Sequence, residues 1–157
     1  MSKLSTWLWF DGNGEEAAQF YARLFGGEVT DIQRYPKDGM YPEGSVMTAS
    51  FRIFDQELHA LNGGPDFKHS PATSFMVQCP DQDEIDRVWA ALSEGGEELP
   101  CGWVTDRFNI TWQVVPEQLD DLLSGGGDPE ARTRVWDALM SMVKIDLKTL
   151  QDAYRSP

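Results

Sequence analysis

Two histidines, two cysteines and 26 carboxylates are the side chains that could carry acid–base, nucleophilic or metal chemistry in this chain. Cys79 or Cys101 beside His59 would make a thiolate–imidazole pair. Neither thiol has an activating context in the sequence, and both are expected to pack as small apolar side chains. The cysteines lack CxxC spacing, and with only two histidines they argue against a structural zinc site. His69, in Asp66-Phe67-Lys68-His69, is expected in solvent. Carboxylate pairs such as Asp120-Asp121 fall on helix faces, where they read as solvated surface. Asp11-Gly12-Asn13-Gly14 has the outline of a nucleotide-binding glycine turn, but a capped helix start explains it without a phosphate.

The elements that must position these residues occur twice. Residues 6–10 are an aromatic-rich, strand-like run. Asn13 then stands as an N-cap with Glu16 as its capping-box partner. Ala17, Phe20, Tyr21, Leu24 and Phe25 make an apolar stripe at helical spacing, and Gly26-Gly27 stops the helix. Sixty-eight residues on, from 13 to 81, the pattern returns. Residues 74–79 read as a strand, Asp81 caps, and Glu84 closes the box. Ile85, Val88, Trp89 and Leu92 form the stripe, and Gly95-Gly96 ends it. Cap, box, stripe and stop recurring together indicate a duplicated unit. After the first helix come strands at 28–34, 46–54 and 57–62. After the second come a weak stretch at 98–104 and a firm strand at 109–115. The halves span 4–64 and 72–116. A C-terminal extension, 117–157, has no counterpart. It holds a short helical piece before Ser124 and a flexible Gly125-Gly126-Gly127 joint. A helix follows, with Asp128 as cap, Pro129 in first position and a stripe of Ala131, Val135, Leu139, Met142 and Val143. A last helix begins at Asp146 and carries Leu147, Leu150 and Tyr154.

Alternation along 109–115 puts Thr111, Gln113 and Val115 on one face and Ile110, Trp112 and Val114 on the other. If Gln113 faces a concave surface, Trp112 packs behind it against a helix. Trp7 and Trp9 share a face of the first strand. With Phe75 and Trp103 they would form an apolar wall, and Gln113 and Asn62 would be polar anchors. In Asp106-Arg107-Phe108-Asn109 a tight turn is expected, with Asn109 in the left-handed position.

Five motifs in order resemble a known family. They are Leu8-Trp9-Phe10-Asp11-Gly12-Asn13 with Phe20-Tyr21, Pro42-Glu43-Gly44-Ser45-Val46-Met47, Ala60-Leu61-Asn62-Gly63-Gly64-Pro65, Cys101-Gly102-Trp103, and Thr111-Trp112-Gln113-Val114-Val115-Pro116. The chain resembles the vicinal oxygen chelate superfamily of glyoxalases, ring-cleaving dioxygenases and antibiotic-resistance proteins. Within it, the motifs look like the PhnB-like branch, often labelled demethylubiquinone methyltransferase-like. The resemblance implies an α+β fold: duplicated βαβββ units forming a curved mixed-sheet cup, here with added C-terminal helices. It also implies four inward metal ligands, two from each half. Those positions fall near Ser5 to Trp7, at His59, near Ser74 and at Gln113. An amide and hydroxyls replace the usual histidines and carboxylates, so neither a metal nor another cofactor is expected.

Lys and Arg total 13, giving a net charge of −13, and no basic patch is visible. A surface this acidic repels phosphate backbones and anionic membranes, so neither nucleic acid nor membrane is an expected partner. Met1 to Trp7 lacks a long apolar stretch, and a cytoplasmic location is expected. The expected activity is binding of a small organic molecule in an aromatic cup lined by Trp7, Trp9, His59, Asn62, Phe75, Trp103 and Gln113. The resemblance implies a homodimer, with half-cups completed across a two-fold or by exchanged segments, and the C-terminal helices outside the duplicated core are its natural clasp. Two alternatives stand beside this. One is a metal-dependent lyase, isomerase or dioxygenase of the glyoxalase type working through His59. The other is a non-catalytic interaction subunit with a filled cup.

Overall fold

The computed structural model describes residues 1–156, which divide into two compact units, 1–69 and 70–156. The first unit runs β1 (Thr6–Phe10), α1 (Gly14–Phe25), β2 (Glu28–Arg34), β3 (Val46–Ile53) and β4 (Gln56–Asn62). Its four strands form one mixed sheet in the order β1-β4-β3-β2, with β1 parallel to β4 and the other pairs antiparallel. The second unit repeats this with β5 (Phe75–Cys79), α2 (Gln82–Ser93), β6 (Glu97–Glu98), β7 (Trp103–Thr105) and β8 (Thr111–Pro116). Its sheet has the equivalent order β5-β8-β7-β6, again with one parallel pair. Three more helices follow: α3 (Leu119–Ser124), α4 (Pro129–Met140) and α5 (Leu147–Arg155). The α+β duplication is therefore as expected, with one four-stranded sheet per half.

Each helix covers one face of its own sheet. Leu8, Phe10, Phe51, Leu58 and Ala60 are buried on the α1 side with Ala17, Ala18, Tyr21 and Leu24. Tyr21 meets Phe51 with ring centres 5.9 Å apart. Val77, Val104, Trp112 and Val114 are buried in the second unit with Ile85, Val88, Trp89 and Leu92. Burying each of these large side chains contributes about 1.5–3 kcal/mol. The helix ends differ, with left-handed Gly26 capping α1 and extended Glu94 capping α2, but after each a glycine runs close to the sheet. A Cβ on Gly27 would stand 1.9 Å from the Arg52 carbonyl oxygen, and one on Gly96 would stand 2.2 Å from that of Thr105. Only glycine lets the chain pass so close to the sheet at each place.

The helix starts differ. Asp81 caps α2 by accepting the Glu84 N–H at 2.9 Å. The Glu84 carboxylate goes to Arg87 at 2.6 Å. Asn13 makes no side-chain cap bond. The Oδ1 of Asn62, at the end of β4, accepts the Gly14 N–H at 2.8 Å instead. The expected cap on α1 is thus supplied from 48 residues downstream.

Other boundaries moved slightly. The weak stretch at 98–104 splits into β6, a 3-10 turn at Pro100–Gly102 and β7. Helix α4 ends at Met140, so Met142 and Val143 lie beyond it and Val143 is exposed. Ile145 fills the core in their place, fully buried beside Gly102. Asp128 caps α4 and Asp146 caps α5 as expected.

Candidate functional site

Strand registry decides which side chains share a surface. On the first sheet, away from α1, one row runs Trp7, His59, Ser50, Asp31 across β1, β4, β3 and β2. The next runs Trp9, Leu61, Thr48, Gln33. Trp7 and His59 are stacked, with ring centres 4.5 Å apart and planes at 23°. The Nε1–H of Trp7 donates to Ser5 Oγ at 3.0 Å, and the indole is 54% exposed. His59 Nδ1 is 2.8 Å from Ser50 Oγ, which fixes the ring and leaves Nε2 as its other polar atom. Ser50 is buried, and nothing in its local sequence singles it out. Its place opposite His59 depends on the β3–β4 pairing.

Trp9 is held more tightly. Its Nε1–H donates to the Gly64 carbonyl at 2.8 Å, and Phe67 meets it edge-on with centroids 4.8 Å apart. A Cβ on Gly63 would fall 2.4 Å from the indole, so the ring lies flat on a glycine. His69 is half-buried, not solvated: its Nε2 lies 2.7 Å from the Trp9 carbonyl oxygen. Asn62 points the other way. It sits in register with Phe10 on the α1 face, bonded to Gly14 N–H and, through Nδ2, to the Val46 carbonyl at 3.1 Å. Its amide builds the helix junction and does not share a face with Trp7, Trp9 and His59.

The second sheet carries a shorter row of Met76, Gln113 and Trp103. Gln113 Nε2–H donates to Ser74 Oγ at 2.9 Å. Trp112 is buried on the helix side, as alternation requires. Phe75 is there too, 5.2 Å from Trp112 between ring centres, and so lies behind Gln113 and Trp103. The reason is a turn length. Three residues separate β1 from α1, and two separate β5 from α2. Helix α2 keeps the 68-residue offset, but β5 stands one residue later, so Met76 and not Phe75 matches Trp7. A one-residue slip turns every side chain of a strand to its other face.

The expected seven residues thus form two groups. Trp7, Trp9 and His59 share the open face of the first sheet, and Trp103 and Gln113 share that of the second. Asn62 and Phe75 support them from behind.

At the four positions that the resemblance assigns to a metal, the donors are Ser hydroxyls near the first strand of each half, His59 and Gln113. His59 Nδ1 is engaged by Ser50 and the Gln113 amide by Ser74. One imidazole with neutral amide and hydroxyl groups does not match the anionic or imidazole-rich sets that hold catalytic divalent ions. Among the described residues, no three His, Cys, Asp or Glu side chains group as a metal site.

The nucleotide-turn outline also fails. The Gly14 N–H, which a phosphate would need at the helix start, is already taken by Asn62. Thiol chemistry has no support either. Burial pushes the Cys79 thiol up to about 11, with Glu84 adding to the shift, so it stays protonated at neutral pH. Cys101 Sγ contacts Met140 Sδ at 3.8 Å.

Two βαβββ units with equivalent strand orders are those of the vicinal oxygen chelate fold. The PhnB protein of Bacillus cereus shares it at a TM-score of 0.67 and 33% identity, over 73% of this chain and 99% of that one. The chain belongs to the family described as 3-demethylubiquinone-9 3-methyltransferase, whose model matches residues 2–115. Protein YjdN of Escherichia coli K12 is 21% identical over 136 residues, 71% of this chain and 92% of YjdN. The fosfomycin resistance protein FosX of Mesorhizobium loti shares the fold alone, at 13% identity and a TM-score of 0.55 over 78% of this chain and 97% of that one. Among the described residues, no helix is long and apolar enough to cross a membrane.

Proposed function

We propose that this chain is a cytoplasmic, homodimeric PhnB-like protein that binds a small organic molecule without a resident metal and without a methyl-donor site. The observation that carries this reading is the Trp7–His59 stack, braced by Ser50 and lying on a sheet face not used by α1. It offers a flat apolar surface beside one imidazole nitrogen. Trp103 and Gln113 offer the same pairing of indole and polar group in the second unit. The occupied helix start at Gly14 and the neutral donor set support the absence of a nucleotide-type cofactor and of a metal.

A thermal-shift screen of small aromatic and heteroaromatic compounds on chelator-treated protein tests the reading. A ligand at 100 times its Kd adds about 2.7 kcal/mol, which is roughly 5–10 °C for a chain of this size. Trp7→Ala and His59→Ala should remove that shift while keeping the fold. The reading is wrong if stabilisation requires added Mn²⁺, Zn²⁺ or Ni²⁺, or if both variants respond like the parent. Light scattering at micromolar concentration tests the dimer, and a monomer mass refutes it.

A further inference from the structure

The family model ends at residue 115, and 73% of this chain accounts for 99% of the Bacillus cereus relative. Helices α3, α4 and α5 are therefore an addition to what that relative contains. They are firmly attached to the second unit. The Gln82 amide donates to the Ile145 carbonyl at 3.1 Å and accepts the Leu147 N–H at 2.8 Å. Cys101 and Gly102 N–H groups donate to the Met142 and Val143 carbonyls at 2.8 and 2.7 Å. An addition held this rigidly can carry a site of its own.

A cleft of about 610 Å³ opens between α3 and α4, lined by Asp120, Leu123, Ser124, Arg132, Thr133 and Trp136. That volume is within the range of small-molecule sites. Two features give it chemistry. Trp136 is 52% exposed, an unusual position for an indole, and with Leu123 it makes an apolar floor. Asp120 and Arg132 line the same cleft, yet among the described residues neither side chain has a hydrogen bond or ion pair. The ion pairs of Arg52, Arg87, Lys144 and Lys148 lie elsewhere. The backbone sets the arrangement. Arg132 packs against Gly125, where a Cβ would stand 2.7 Å from the Arg132 nitrogen, and this brings the start of α4 against the end of α3.

We propose that this cleft is a second binding site, for a zwitterion with an apolar body such as an aromatic amino acid. Arg132 takes the carboxylate, Asp120 the ammonium group, and Trp136 with Leu123 the ring. The opposite, unpaired charges on one apolar cleft match a ligand carrying both.

Calorimetry on the full-length protein tests this with three probes: phenylalanine, 3-phenylpropionate and phenethylamine. Phenylalanine should bind saturably at millimolar concentration. Each single-ended analogue should bind three- to fivefold more weakly, the range open to exposed ion pairs. Arg132→Gln should erase the preference of phenylalanine over phenethylamine, and Asp120→Asn its preference over 3-phenylpropionate. Trp136→Ala should abolish binding of all three. The proposal is overturned by no saturable heat, or by equal affinities that neither charge variant alters. A fall in oligomeric mass in Trp136→Ala also overturns it, because a second copy of the chain would then be the occupant.

Discussion

Asp106 is the residue whose replacement most directly tests how the second unit holds its site. It is 3% exposed, at the turn between β7 and β8. Its Oδ1 accepts the Phe108 N–H at 2.8 Å and the Ile110 N–H at 3.1 Å. Its Oδ2 accepts the Trp112 Nε1–H at 2.9 Å. Asp106→Asn keeps an acceptor for the two backbone donors but sets an NH₂ group against the indole N–H. Losing a charge-assisted bond and leaving a buried donor unpaired should cost about 2–3 kcal/mol. Trp112→Phe removes the indole donor, so the amide no longer opposes anything. The double variant should then be less destabilised than the sum of the singles by about 1.5 kcal/mol. Urea unfolding followed by far-ultraviolet circular dichroism measures all three, against a total stability of roughly 5–15 kcal/mol. Additivity within about 0.3 kcal/mol would refute the geometry, because it would mean the carboxylate and the indole do not share a bond.

Four further outcomes follow from other contacts. Asn62→Ala should cost about 2–3 kcal/mol by removing the α1 cap and orphaning the Val46 carbonyl, and Asn62→Asp should recover part of it; equal melting temperatures for Ala and Asp would count against the cap. Gly27→Ala should destabilise by more than about 2 kcal/mol, since its Cβ would meet backbone 1.9 Å away; a neutral result in chemical denaturation would show that the β3 end gives way freely. One thiol should react with an aromatic disulfide reagent at pH 8 in folded protein, because Cys79 is buried with its thiol pushed up to about 11; two fast equivalents would contradict this. The Lys144 ammonium, and then the Gln82 amide, hold the Asp86 carboxyl below the usual carboxylate range, so the tie stabilises above about pH 4 and is lost as pH falls through the folded value. Both partners are about half exposed, which limits its contribution to under about 1 kcal/mol. Lys144→Met should return Asp86 towards the ordinary range in a carboxyl-carbon NMR titration, and an unmoved curve would show that the lysine is not the cause.

The fold was legible because its signals are local. Helix stripes, paired glycines and the Asp81, Asp128 and Asp146 caps each lie within a few residues of what they specify. Asn109 was legible for the same reason, and it takes φ +66° as the turn required. The site was legible only in part, because it depends on registry between strands far apart in sequence. Trp7, Trp9 and His59 alternate correctly within their own strands. Phe75 faces the helix because of a one-residue difference in turn length that no periodicity within β5 reports. Asn62 reads as a polar anchor because the donor it accepts from, the Gly14 N–H, is 48 residues away at a helix start whose cap the sequence assigns to Asn13. Ser50, Met76 and Asp106 gain their roles only from what stands opposite them.

The borrowed cap on α1 also bears on how the chain acquires its structure. Helix α2 carries its own cap three residues from the N–H it satisfies, so its first turn can form as soon as those residues are free. Helix α1 must wait for the end of β4, after β2, the 35–45 loop and β3 have found their places. Closing that distance costs loop entropy before any bond repays it. The second half is therefore expected to gain protected amides before the first, although it is made later on the ribosome. Pulsed hydrogen exchange during refolding reads this order directly, and earlier protection in α1 than in α2 would reverse it.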